Sequence, residues 1–354
     1  MTVFLIIIVL ALLAVTAWQI SKIFQLSKSE DTDTTQVATD KDNTMQAKLM
    51  LGFMVFLYAG MLYCFWYYSK FYLPEAASAH GGEYDTLMFV SIFIIMVVQI
   101  ITQALLHWFA FKYRGEKGKK ALFYADNDKL EFIWTIIPVI VLAGLIIYGL
   151  FTWSDIMNVS KEDDPIVIEL YAKQFSWTAR YAGEDNTLGK ANVRFIEGAN
   201  TLGISENDSY AKDDKVTTEL HLPVGKRVLF KLRSQDVLHS AYFPHFRAQM
   251  NVVPGMITQF SFTPTITSEE MRDSEYMVEK VQHINEIRKE ESKELVAEGE
   301  MPLDAYEFDY FLLCNKICGE AHYNMQMKIV VESEEDYKAW LSEQGTFGET
   351  MANN

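Results

Sequence analysis

Between Cys314 and Met325 the chain reads Cys314-Asn315-Lys316-Ile317-Cys318-Gly319-Glu320-Ala321-His322-Tyr323-Asn324-Met325. Two thiols, an imidazole and a thioether at this spacing are ligands for a soft transition metal, and the mixture points to copper before zinc. A mononuclear copper site of this kind uses one thiolate with two histidines and a weak axial Met. A second Cys four residues from the first lets both sulfurs bridge two metal ions, an arrangement suited to passing single electrons. The missing ligand is then a second His. His239, in Ser234-Gln235-Asp236-Val237-Leu238-His239-Ser240, follows the strand-like run 227–232, which puts it on the loop after a strand. Parts of the set have simpler readings. The Cys pair alone fits a disulfide in an exported domain or half of a zinc site, and Met325 alone fits core filling. A closed zinc site has no use for Met325, so the joint pattern favours copper.

The elements around this cluster divide the chain in two. Half of the 354 residues are hydrophobic, yet the net charge is −16. Residues 153–354 hold 35 acids against 20 bases, whereas the first 152 hold 12 against 11. An apolar, nearly neutral part therefore precedes an acidic one, and no nucleic-acid partner is expected. Four apolar stretches, 3–20, 49–71, 87–111 and 132–153, approach or exceed the ~20 residues that cross a bilayer as helix. The first lacks the basic flank of a signal peptide and reads as a retained span. Lys112, Arg114, Lys117, Lys119 and Lys120 follow the third stretch and mark that loop as cytoplasmic, as Lys22 and Lys28 do after the first. The loop 72–86 has no Lys or Arg. Both the N-terminus and the acidic part then lie outside the cytoplasm. Cys64, in an apolar run after a bulky Tyr63, reads as a buried, inert thiol rather than a lipid attachment site.

Beyond Trp153 the pattern shortens to β-like runs at 166–172, 215–222, 258–262, 307–313 and 327–332, with a turn at Pro223-Val224-Gly225. Such runs suggest a β-sandwich. Residues 267–302 interrupt them with charge, and Met277, Val281, Ile284 and Ile287 recur at helical spacing, predicting an amphipathic helix. That helix lies on its own sandwich or docks a partner. His283 within it reads as a surface residue.

The segments Asp236-Val237-Leu238-His239-Ser240 and Cys314 to Met325 are similar to subunit II of the haem–copper cytochrome c oxidases. So is the helix opening Glu131-Phe132-Ile133-Trp134-Thr135-Ile136-Ile137-Pro138. The resemblance covers roughly residues 87–266 and 303–335. It implies an α+β membrane protein in which N-terminal transmembrane helices precede an extramembrane Greek-key cupredoxin β-sandwich. On that template residues 1–28 are an additional N-terminal helix, 29–48 a polar linker, and 49–73 a second additional helix. Residues 87–153 are the family's two-helix hairpin, 154–335 the cupredoxin domain with insertion 267–302, and 336–354 a C-terminal helix or tail. The resemblance further implies two copper ions in a CuA centre. Cys314 and Cys318 bridge them, His239 and Met325 complete one, and His322 with the Lys316 backbone carbonyl completes the other.

Further roles follow from the family. Glu131 marks the entrance of a proton path into subunit I, where a plain reading is an acid favoured at a helix N-terminus. Gln174-Phe175-Ser176-Trp177 resembles the aromatic patch where cytochrome c delivers its electron. Phe175 stands at the usual Trp position, and Trp177 shares its face if the segment is extended. Core packing is the plain reading of both rings. Lys316 stands where the family usually has Glu, and Asn251 where Asp is common. An ammonium cannot ligate a cation, so an interfacial Mg or Mn site does not carry over; Lys316 would instead meet subunit I acids directly.

The chain is thus expected to be subunit II of a bacterial cytochrome c oxidase in the inner membrane, with its copper domain periplasmic. It would take electrons from cytochrome c, or from a cytochrome c domain of a reductase in a supercomplex, and pass them to haem in subunit I for O₂ reduction coupled to proton pumping. No Cys-x-x-Cys-His is present, so no haem is attached to this chain. The rival readings are a quinol oxidase subunit, which lacks the copper ligands, and a membrane-anchored copper carrier, which needs neither Glu131 nor several spans. Nitrous oxide reductase shares the CuA motif but has a catalytic domain for which this chain has no room.

Overall fold

A computed structural model describes residues 2–27, 38–69, 72–120, 122–159 and 164–352. Lys28 and the first part of the expected linker, 29–37, lie outside the described residues, and from Asp40 onward the expected linker is helix. Contacts divide the chain into two units, Met1–Lys70 with Phe93–Phe132, and Phe71–Ile92 with Ile133–Asn354.

Helices α1 (Thr2–Ser27), α2 (Asp40–Tyr68), α3 (Gly81–Lys112) and α4 (Asp128–Met157) come first. Among the described residues α2, α3 and α4 are long and apolar enough to cross a membrane; the described apolar part of α1, Ile8–Ser21, is shorter. Two of the starts have a local cause. Thr39 and Asp42 form a capping box at α2, and the Asn127 side chain accepts the Leu130 N–H at α4. In the first unit the α2 phenol Tyr58 donates to the Ile100 carbonyl of α3 at 2.7 Å. Cys64, expected to be buried, is exposed on α2.

The second unit holds the sandwich. Its strands are β1 (Ile166–Lys173), β2 (Ser176–Tyr181), β3 (Lys215–Thr217), β4 (Leu220–Pro223), β5 (Val228–Ser234), β6 (His239–Phe243), β7 (Ala248–Val252), β8 (Thr258–Phe262), β9 (Tyr310–Cys314) and β10 (Gln326–Glu332). They form two five-stranded sheets, β3-β2-β1-β5-β8 and β4-β10-β9-β6-β7, a Greek-key sandwich of the cupredoxin kind. Alternate residues point between the sheets: Ile168, Leu170 and Ala172 of β1, Phe230 and Leu232 of β5, Ala241 and Phe243 of β6, Leu312 of β9. Phe230, Phe243, Phe260 and Phe262 pack ring on ring, with centroids 5.2–6.2 Å apart.

The run 215–222, read as one strand, is two. The Thr217 hydroxyl donates to the Glu219 carbonyl at 2.7 Å, the chain bends, and β3 and β4 join different sheets. The excursion 182–214 covers the outer face of the first sheet, which is why Glu169 and Tyr171 are as buried as the core side of β1. Beneath it lies an ionic cluster. Glu169 pairs with Arg180 at 2.9 Å and with Arg233 at 2.9 Å, and Arg180 also meets Asp214 at 3.3 Å.

The insertion contains α5 (Ser268–Asp273) and α6 (Glu275–Ala297). Met277 is fully buried and Val281 packs on the sandwich, whereas Ile287, farther along α6, is exposed. The segment after residue 335 is not a loose tail. α7 (Glu334–Glu343) buries Tyr337 and stacks Trp340 on His221, 3.8 Å between ring centres, and α8 (Phe347–Ala352) buries Phe347.

Arg247 ties the start of α3 to the sandwich. Its guanidinium takes both oxygens of Asp85, at 2.7 and 2.9 Å, while the Ser78 hydroxyl donates to the Phe246 carbonyl at 2.8 Å.

Candidate metal centre

Strand register brings the first two sulfur and nitrogen donors together. β6 and β9 are antiparallel neighbours with Ala241 opposite Cys314, and the Asn315 N–H donates to the Ser240 carbonyl at 3.0 Å. His239, Ala241 and Cys314 therefore face the same side, into the end of the sandwich. His239 is the first residue of β6, not a loop residue, because its backbone already pairs with Val252 of β7. Cys314 likewise closes β9, and only Cys318 lies in the loop.

That loop folds back through short-range bonds. The His322 N–H donates to Gly319, one 3₁₀ turn spans His322–Asn324, and the Cys314 N–H donates to the Met325 carbonyl at 3.0 Å. The result is a connected set of donors. Cys314 Sγ lies 3.9 Å from His239 Nδ1, 3.9 Å from Cys318 Sγ and 3.2 Å from the Lys316 carbonyl. Cys318 Sγ lies 3.6 Å from His322 Nδ1 and 3.7 Å from Met325 Sδ. The ligand atoms of His239, Cys314 and Cys318 all fall within 4.8 Å of one another. All six sequence-predicted donors are thus at one end of one sandwich.

Burial, and then the neighbouring Cys314, push the Cys318 thiol up to about 11, so without a nearby positive charge that thiol stays protonated at neutral pH. A soft cation would make thiolates of both. The donor set itself exceeds what a single tetrahedral ion takes, and two sulfurs, a thioether, two imidazoles and a carbonyl fit copper. His239 is prepared for this. Its Nε2–H donates to Asp236 Oδ1 at 2.9 Å, which leaves the Nδ1 lone pair directed at the sulfurs.

Asp236 was not among the sequence candidates. Burial alone would raise its carboxyl, but the N–H groups of Gln174, His239 and Val237 hold it below the usual carboxylate range. The signal that could have found it is its place three residues before His239.

The remaining candidates separate. Trp177, on β2, is buried, with its ring edge-on to His239 at 6.2 Å between centroids. Phe175 is half-exposed in the β1–β2 turn and packs against the metal loop. Gly319 makes that approach feasible: a Cβ there would stand 2.8 Å from the Phe175 ring. The two rings therefore do not share a face. The Lys316 side chain is exposed and brings an ammonium where a carboxylate would be needed, so the residues present do not fit an added Mg or Mn ion. Glu131 sits in the first turn of α4, in the other unit.

Comparison with known proteins follows the same division. The family model described as cytochrome c oxidase subunit II, transmembrane domain, matches residues 66–151, and the periplasmic-domain model matches 166–270. The second match ends inside the charged insertion, so Cys314–Met325 lies beyond it. The alternative cytochrome c oxidase subunit 2 of Bradyrhizobium diazoefficiens is 31% identical over 279 residues, 78% of this chain and 86% of that one. Cytochrome c oxidase subunit 2 of Alkalihalophilus pseudofirmus is 25% identical over 269 residues, 73% of this chain but only 57% of that relative. The periplasmic domain of the Bradyrhizobium japonicum cytochrome oxidase subunit II overlaps 50% of this chain and 91% of its own, with 17% identity and a TM-score of 0.28.

Proposed function

The chain belongs to the cytochrome c oxidase subunit II family, a part of the terminal oxidase complex, and from that premise we propose that it is the electron-receiving subunit, holding a binuclear copper CuA centre. The observation that carries the proposal is the continuous path of contacts from His239 through Cys314 and Cys318 to His322 and Met325. When bound, the copper pair supplies a one-electron relay.

The residues divide the work. His239, Cys314, Cys318, His322, Met325 and the Lys316 carbonyl would hold the copper pair. Asp236 fixes the tautomer and the angle of the His239 ring. The rigid sheets keep these ligands in place as the electron arrives and leaves, which keeps reorganisation small. Phe175 is the ring a donor touches, because it is the half-exposed one. Trp177 braces His239 from within the core.

A cytochrome c, or a cytochrome c domain, would dock on the acidic extramembrane domain by opposite charge. The electron then goes to haem in subunit I, where O₂ is reduced and protons are pumped. Glu131, at the cytoplasmic start of α4, would admit protons. The setting is a bacterial inner membrane crossed several times, with the sandwich on the periplasmic side.

Metal analysis of the purified chain tests the reading. Two coppers per chain are expected, with no stoichiometric Mg or Mn, and Cys318→Ser should lose the pair. One zinc per chain, or copper retained in full by Cys318→Ser, contradicts it.

A further inference from the structure

Gln174 joins both halves of the centre. Its side-chain amide donates to the Cys318 carbonyl, on the loop that carries the second sulfur. Its backbone N–H donates to Asp236 Oδ2 at 2.8 Å, and Asp236 Oδ1 accepts the His239 Nε2–H at 2.9 Å. The same residue precedes Phe175 in the β1–β2 turn. A chain of hydrogen bonds thus runs from the metal loop, through an exposed turn, to the carboxylate behind the histidine. Gly319 completes it. A Cβ at that position would lie 2.8 Å from Gln174 Nε2 as well as from the Phe175 ring, so the bare glycine is what lets the turn settle on the loop.

We propose that Gln174 is a positioning residue that clamps the Phe175 turn onto the metal loop and so sets the rate at which an electron enters. The proposal rests on the copper reading above. It separates two properties that a structural role would couple. His239 and Cys314 are fixed by strand register and His322 by the 3₁₀ turn, none of which uses the Gln174 side chain; at Cys318 that side chain meets the backbone carbonyl and not the sulfur. Losing the clamp should therefore slow entry while leaving the centre intact. A turn hydrogen-bonded at only one point samples positions in which the Phe175 ring leaves Gly319, and electron entry depends steeply on such contact.

Gln174→Met keeps the length of the side chain and removes the donor. Gln174→Ala removes both, and the position is exposed, so neither should disturb the core. In the intact oxidase, electron entry from a mitochondrial-type cytochrome c should slow about tenfold in either variant, the scale of one lost hydrogen bond. The copper EPR spectrum and the rate of entry from a small photoexcited ruthenium complex should match wild type. Entry from cytochrome c within twofold of wild type overturns the clamp, as does a spectrum altered in step with the rate. If wild type itself lacks a two-copper spectrum, the underlying reading fails rather than the clamp alone.

Discussion

At the scale of single residues, Asp236 shows how much of a metal centre lies outside its ligands. It holds His239 by one oxygen and the Gln174 turn by the other. Asp236→Asn keeps the shape but weakens the bond that fixes the imidazole, so copper affinity should fall by about tenfold to a hundredfold, measured by competition with a chelator. Unchanged affinity would remove Asp236 from the account. The two aromatic residues should part in a different way. Phe175→Ala should slow entry from cytochrome c with melting temperature nearly unchanged. Trp177→Ala should cost about 3–5 kcal/mol of stability by opening a cavity, seen as an early denaturant midpoint. The candidate metal donors were legible as a cluster because five of them fall within twelve residues, a spacing that soft-metal chemistry restricts. Asp236 and Gln174 were not, because their roles depend on which turn meets which loop once the sheets have packed.

Among the elements, α6 was predicted by its apolar spacing, but the spacing alone could not say which part is covered. The structure buries Met277 and leaves Ile287 exposed. Met277→Ala should therefore cost about 2–5 kcal/mol, whereas Ile287→Ala should stay within ~0.5 kcal/mol; equal losses in a urea titration would contradict this packing. The ionic cluster under the excursion 182–214 escaped the sequence entirely. Glu169, Arg180, Arg233 and Asp214 look like solvent-facing positions until the excursion covers them. Burial pushes the Asp214 carboxyl up to about 7, against the Arg180 guanidinium and the Gly189 N–H, which favour its charge. Its folded value thus lies above its unfolded one. The stability it contributes is fully present below the ordinary carboxylate range and is lost as pH rises through about 7. Melting temperature should fall across that window in wild type and fall less in Asp214→Asn; equal slopes would contradict the assignment. The bend that sends β3 and β4 to different sheets was hidden for a similar reason, since alternation along 215–222 is the same on either side of it.

Over the whole molecule, charge and hydropathy were enough to separate a membrane part from an extramembrane one. Among the described residues three helices are long and apolar enough to span, and the acidic excess sits in the sandwich part. The Greek-key sandwich followed from the short strands together with the family resemblance, whereas the docking of α7 through Trp340 and His221 depends on a stacking contact between distant segments. The central claim is that the end of this sandwich holds two coppers acting as one electron carrier. Electron paramagnetic resonance of the purified, copper-loaded chain tests it most directly. The account predicts hyperfine splitting from one unpaired electron shared equally by two copper nuclei; splitting from a single copper nucleus would contradict it.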